Sequence, residues 1–304
     1  VVMDSAFHGT VRAGGDEVGG IAGDVGTFIG RNIVVTGQVR AVRQSYEHVG
    51  GLAGSVSVLS ITDVHVSADV TAPNHDQVGG LIGDAGEGSM TDVTYTGTVR
   101  GRSAVGGLVG ELSDARVENA RASGSVTSNG SGDEVGGLIG AADTVAIVDS
   151  SASNAVSASD LDIIGGLVGL LDASTIERSF ATGQVTGEAT AGGLVGSAEG
   201  GSSIVDSYAT GFVSGTNYSV GGLVGYASET PMERTYATGD VRGSTAVGGL
   251  IGRIDGNASG FDALTTSYAT GSVTGGDEVG GLIGRADVTS DNITTSLATG
   301  SVQG

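Results

Sequence analysis

Small or apolar residues alternate with hydroxyl-bearing ones in a short stretch that returns along the whole chain. Val stands at Val11, Val39, Val70, Val99, Val126, Val156, Val185, Val213, Val241, Val273 and Val302, each two residues after a small residue. Two residues before that small residue stand Phe7, Val35, Val66 and Tyr95, then Ala in seven successive copies from Ala122 to Ala298. Two further back stand Ser5, Ile33, Val64, Val93, Ala120, then Ser or Thr from Ser150 to Ser296. The residue between the Phe7-to-Ala298 column and the small residue is His8, Thr36, Ser67, Thr96, and Ser or Thr thereafter. A period of two defines a β-strand, here with the small and apolar column inward and the hydroxyls outward. So narrow an inward face must lie close to another layer of backbone.

A second landmark is the run written Val-Gly-Gly-Leu-Ile-Gly at Val135–Gly140. Its first glycines are Gly19, Gly50, Gly79, Gly106, Gly136, Gly165, Gly192, Gly221, Gly248 and Gly280. Its leucine column starts with Ile21 and continues from Leu52 to Leu282. Val, Leu and the following Ile or Val cannot all point inward from a flat strand, so the double glycine predicts a bulge or bend. The variable stretches Ser228–Met232 and Arg253–Leu264 read as loops. Larger inward residues in the first four copies predict a fatter rod at that end.

Both landmarks recur every 27 to 32 residues, close to 29 on average. A unit of that length cannot bury its own inward face, but stacked copies can. The expected fold is all-β: a single elongated β-solenoid of about ten turns over residues 1–304, on the order of 50 Å long at a ~4.8 Å rise per turn. No domain boundary interrupts the repeat. The chain opens and closes inside a repeat, so it reads as truncated at both ends, and the open sheet edges there are expected to stack on further repeats or on copies of itself.

Charge narrows the setting. There are 34 Asp and Glu against 13 basic residues, for a formal net charge of −21; every basic residue is Arg and no Lys occurs. Dispersed carboxylates repel one another in dilute buffer and are screened by salt. This surface resembles that of proteins from extreme halophiles. It argues against binding nucleic acid through phosphates. With no Cys there are no disulfides, thiolate metal sites or thiol nucleophiles. No run approaches the ~18 apolar residues of a membrane helix, so no membrane insertion is expected in this segment.

The stretch Gly192–Gly215 resembles the GLUG motif, named for its Gly-Leu-x-Gly core, and the units from about Gly165 onward match it closely. The resemblance implies a secreted or surface-anchored prokaryotic repeat protein, adhesin-like and without chemistry of its own. Some GLUG repeats adjoin a protease domain, but no His-Glu-x-x-His zinc motif is present here.

No catalytic constellation emerges from the residues. The four histidines, His8, His48, His65 and His75, fall in the first quarter, with His8 and His65 outward. Acids are spread along the loops, not gathered at one level as in polysaccharide-cutting β-helices. The run Gly-Asp-Glu-Val-Gly-Gly occurs three times, and Asp16, Glu17, Asp133, Glu134, Asp277 and Glu278 are the oxygen donors it would offer to Ca²⁺. It lacks the period of calcium-binding nonapeptide solenoids, and a solvated acidic turn is the preferred reading. Sequons place candidate N-glycosylation at Asn129, Asn217, Asn257 and Asn292. The outward face lacks the two-column threonine array of an ice-binding solenoid. Phe180, Tyr208, Tyr236 and Tyr268 form an aromatic ladder that either binds a partner or, the preferred reading, stabilises the stack. The expected role is an extracellular structural or adhesive module, the shaft of a surface adhesin or filament. The alternatives are a virion fibre or spike of a virus of a halophile, and a carbohydrate-active parallel β-helix enzyme.

Overall fold

The computed structural model describes residues 1–42, 47–130, 134–159, 163–256, 264–287 and 293–304. These residues form strands and turns with no helix, in one sheet of 31 strands and one of 9. Every strand pairing is parallel and joins equivalent positions of successive units. The architecture is a β-solenoid of about ten turns. The valine column is one ladder, each Val paired with the next from Val11 to Val302. The Phe7-to-Ala298 column is likewise continuous.

The strands change character along the axis. The first turns are built on long strands, β1 (Val2–Ala13) and β2 (Ala22–Ala41) among them. Later turns break the same path into pieces such as Ile139–Asp143, Ala146–Val148, Ser151–Ala152 and Ala155–Ala158. The alternating stretch expected as one strand is thus two short ones in later turns, Tyr208–Ala209 and Val213–Ser214. The break falls at Gly211, where a Cβ would lie 1.8 Å from the carbonyl oxygen of Gly183 in the turn before.

The double glycine makes a bend. A Cβ on Gly106 would lie 1.8 Å from the Val109 carbonyl oxygen, and one on Gly107 would lie 2.0 Å from that of Gly137 in the next turn. Backbone occupies both places, so neither can carry a side chain. The bend lets Val135, Leu138 and Ile139 all reach the core with no exposed surface. Between turns the leucines are tied by their backbones: Leu138 N–H donates to the Leu167 carbonyl at 2.8 Å, and Ile139 N–H donates to that same oxygen at 3.1 Å.

A corner precedes each strand of the alternating stretch. Asp4, Asn32, Asp63, Asp92, Asn119, Asp149, Arg178, Asp206, Arg234, Thr266 and Thr295 all have φ between 47° and 57°. Seven of the eleven are Asp or Asn, the residues that tolerate this left-handed conformation best after glycine. The residue after each corner turns inward. In later turns it is a serine whose hydroxyl works twice. Ser179 Oγ donates to the Glu177 carbonyl at 2.9 Å and accepts the Ser150 N–H at 3.0 Å. Ser207 repeats this with Val205 and Ser179. These serines are buried, and the hydroxyl satisfies a backbone N–H that the corner removes from the ladder.

The core tapers as expected. The Phe7-to-Ala298 column holds Phe7, Val35, Val66 and Tyr95 in the first four turns and alanine from Ala122 onward, while Leu and Ile stay fully buried along the rod. Tyr95 is the last large residue of its column, and its hydroxyl donates to the Ala68 carbonyl at 2.8 Å; burial raises its pKa. The expected loops need correction at their ends. Met232 and Leu264 are fully buried and continue the ladder of Ile204, and Arg253 lies in the strand Ile251–Asp255. The residues between, 257–263, lie outside the described ones.

Candidate functional site

The outward side of the alternating stretch is the most regular surface of the molecule. In later turns it carries ring, hydroxyl, and a third side chain in sequence: Phe180-Thr182-Gln184, Tyr208-Thr210-Phe212, Tyr236-Thr238-Asp240, Tyr268-Thr270-Ser272. Strand pairing stacks the rings. Phe180 to Tyr208, Tyr208 to Tyr236 and Tyr236 to Tyr268 have centroid separations of 4.9, 4.6 and 4.9 Å with planes within 5° of parallel. Their faces are spent on one another and their edges meet solvent, which supports the stack-stabilising reading. The earlier half of the same face carries His8 and His65, whose Nδ1 atoms lie 2.6 Å from the Thr36 and Thr94 hydroxyls.

Beside this face runs the corner column, which in turns six to nine alternates in charge. Arg178 grips Asp149 through two nitrogens at 2.8 and 3.0 Å, and Arg234 holds Asp206 in the same way. The hydrogen bond from the arginine lowers each aspartate's pKa and raises each arginine's. Elsewhere stacking sets like charge over like. Asp143, Asp172 and Glu199 occupy one column of adjacent turns. Glu199 is raised by burial and then by Asp172. Asp84 is raised by burial and by Glu111, against the opposing pull of His48.

Identical runs in a solenoid land in different turns. Glu17 lies 4.0 Å from His48, Glu134 pairs with Ile163 in the small sheet, and Glu278 meets Arg285 at 3.1 Å. Asp16 and Asp277 sit in the first and tenth turns, and Asp133 lies outside the described residues. The repeated acids are therefore not brought together, and among the described residues no group of three or more His, Asp or Glu side chains is arranged to hold a metal. Of the sequons, Asn129 and Asn217 are exposed, while Asn257 and Asn292 lie outside the described residues. The Asn129 amide donates to the Pro73 carbonyl at 3.1 Å. A cavity of about 250 Å³ between Ser203, Val205, Pro231, Met232, Glu233 and Thr265 holds one carboxylate and no histidine. Sequence reasoning did not find the left-handed corner column; its signal was the Asp or Asn immediately before seven of the eleven inward residues.

A stacked parallel coil with columns of identical residues and charge ladders along its edges is a β-solenoid repeat protein. The GLUG motif family matches residues 101–127 and 187–214, and the register carries the same columns through the other turns. The chain thus contains GLUG-motif repeats. It is also similar to halomucin from Haloquadratum walsbyi, 37% identical over 166 residues, which is 52% of this chain and 2% of that protein. The chain thus corresponds to a small fraction of that relative's length. No solved structure matches it. No helix among the described residues is long and apolar enough to cross a membrane.

Proposed function

We propose that this chain is a shaft segment of an extracellular surface protein working in molar salt. The observation that carries the reading is the unbroken valine ladder through eleven rungs, in which almost every residue serves the stack or its solvation. The lysine-free acidic surface and the similarity to halomucin of a halophile support the setting. On this reading the acids hold hydrated cations, and Asn217, exposed in an inter-turn connection, is the sequon best presented for glycosylation. The end rungs, with Met3, Leu297 and Val302 exposed, pair with adjoining repeats.

The test is microscopy and assay together. The purified chain in molar KCl should appear as rods about 50 Å long per ten turns, and antibodies to it should label intact cells. Specific cleavage of a surface polysaccharide, abolished by one Asp substitution, would overturn the reading in favour of an enzyme. Labelling of virions but not cells would assign the shaft to a viral fibre.

A further inference from the structure

Charge is not spread evenly around the rod. The four outward columns of the alternating stretch hold 44 residues over eleven rungs: those aligned with Ala6, His8, Thr10 and Arg12. They contain five arginines, Arg12, Arg40, Arg100, Arg121 and Arg242, and two acids, Asp69 and Asp240. The face is thus +3 with histidines neutral, while the rest of the chain, with 8 Arg and 32 acids, is −24; together these make the −21 of the whole.

The arginines divide the same way. Off this face six of the seven described arginines, Arg102, Arg116, Arg178, Arg234, Arg253 and Arg285, are salt-bridged, Arg31 being the exception. On it, none of the five makes an ion pair among the described residues; Arg121 only donates to the Asn119 side-chain oxygen at 3.2 Å. Arg40 and Arg100 flank a surface cavity of about 320 Å³ with Gln38, Val39, Asp69 and Thr71. Two unpaired guanidinium groups and one carboxylate leave room and charge for a second carboxylate.

We infer that this face is a lateral docking surface whose partner is a second copy of this chain, seated by its acidic flank. That flank includes the column Asp143, Asp172 and Glu199, which carries one carboxylate per turn over three adjacent turns. Both surfaces repeat at the same rung spacing, so a match made at one rung is kept at the next. Seven residues across and the ten intervals between eleven rungs give a face of roughly 1,100 Å². A standard interface buries about 800 Å² per partner, so the face is large enough. The neutral half, with its Thr ladder and aromatic edges, adds area without like-charge repulsion. The contact is side by side and asks nothing of the rod ends. It goes beyond the shaft reading and is tested separately from it.

The experiment is sedimentation equilibrium of the purified chain, at a salt concentration where circular dichroism shows an intact fold. The wild type associates, and R40Q/R100Q weakens association roughly tenfold or more with an unchanged spectrum. The charge-reversed R40E/R100E does not self-associate, and mixing it with E199R restores hetero-association. A wild type that stays monomeric, or an R40Q/R100Q variant that associates like it, overturns the inference. So does a variant whose sole change is lost retention on a carboxylated polysaccharide, which would give the face to a glycan.

Discussion

Turns one to four and turns six to ten follow one path with different fillings. Near the start the interior holds Phe28, Leu59, Met90 and Tyr95, and the strands run for 12 to 20 residues. Further on, the Tyr95 column is alanine, the Phe28 and Leu59 place is taken by Ser174 and Ser202, and strands shrink to two to five residues. The early turns are held by apolar volume. The later ones are too narrow for it and use backbone economy: left-handed corners, serine hydroxyls under orphaned N–H groups, and glycine where backbone touches backbone. Ser174 Oγ, for example, accepts the Val145 N–H at 2.8 Å and donates to the Asp172 carbonyl. A coil of constant length can therefore close around unequal cores, provided polar groups do the work that side-chain volume no longer does.

The bend is common to both halves, so it should break both. Gly51→Ala and Gly193→Ala put a Cβ 2.2 and 2.1 Å from a neighbouring carbonyl oxygen. Each should cost about 4 kcal/mol or more, the range of severe overpacking and backbone strain, read as the loss of the cooperative transition in urea. Equal severity at the two sites supports a shared bend, and tolerance at either would show that half to be built otherwise. Tyr95→Ala follows, at about 3–5 kcal/mol for an unfilled aromatic cavity, measured by the urea midpoint. Its counterpart Ser179→Ala removes one hydroxyl yet leaves the Ser150 N–H buried without its acceptor. That should cost about 1–3 kcal/mol, and Val64→Ala at the same column of the early half should leave no such N–H unpaired.

The outer aromatic stack is weaker. Tyr236→Ala removes the middle contacts of a four-ring ladder and should cost about 1–2 kcal/mol, from two stacked pairs at about 0.5–1.5 each less relaxation. Tyr236→Phe should be nearly silent. If both variants match the wild type in melting while a lateral contact is lost, the ladder serves a partner and not the stack.

Much of the coil is legible in the sequence because stacking copies each column onto itself. The valine and alanine columns could be assigned inward by counting in twos, and all eleven rungs fall in register. The Gly-Gly bend was visible as a problem, three apolar residues that could not share one face, but its solution needed coordinates. Two features stayed hidden for physical reasons. The corner column mixes Asp, Asn, Arg and Thr, because what it shares is a backbone angle and not a side-chain type. The serine column showed its inward direction but not its purpose, since its partner is the N–H of a residue about 29 positions away. Asymmetric charge escaped notice because net charge was summed over the chain and not by column. Met232 and Leu264 read as loop because they border insertions of unequal length, although they occupy the Ile204 column of the core.

The smallest effect separates the halves by pH. His75, in the connection leaving the third rung, is fully buried against the Gly15 backbone. Burial holds its pKa below the ordinary 6.5, against the pull of the Gly15 backbone, then of Asp76 and Asp16, while Arg102 is paired with Asp76. The unfolded chain takes up a proton near pH 6.5 and the folded one resists it, so stability is full above that pH and declines as pH falls toward the folded value. Asp84 and Glu199 act in the opposite sense. Their raised folded values let the native state accept protons before the unfolded one, so acid relieves their repulsion in the range just above the ordinary carboxylate values. A melt against pH therefore mixes the two, and the difference between wild type and His75→Phe isolates the histidine. That difference should grow from pH 7 to pH 5 at fixed salt. Hydrogen exchange localises it: the His75 N–H, bonded to the Ala72 carbonyl, and the Arg102 N–H, bonded to the His75 carbonyl, should lose protection at pH 5 relative to the intrinsic exchange rate at that pH. Amides of the later turns, such as Leu194 and Leu223, have no histidine near them in sequence or column and should not respond. A uniform response along the rod would mean that the two halves open as one cooperative unit, and the contrast between them would then be one of packing but not of stability.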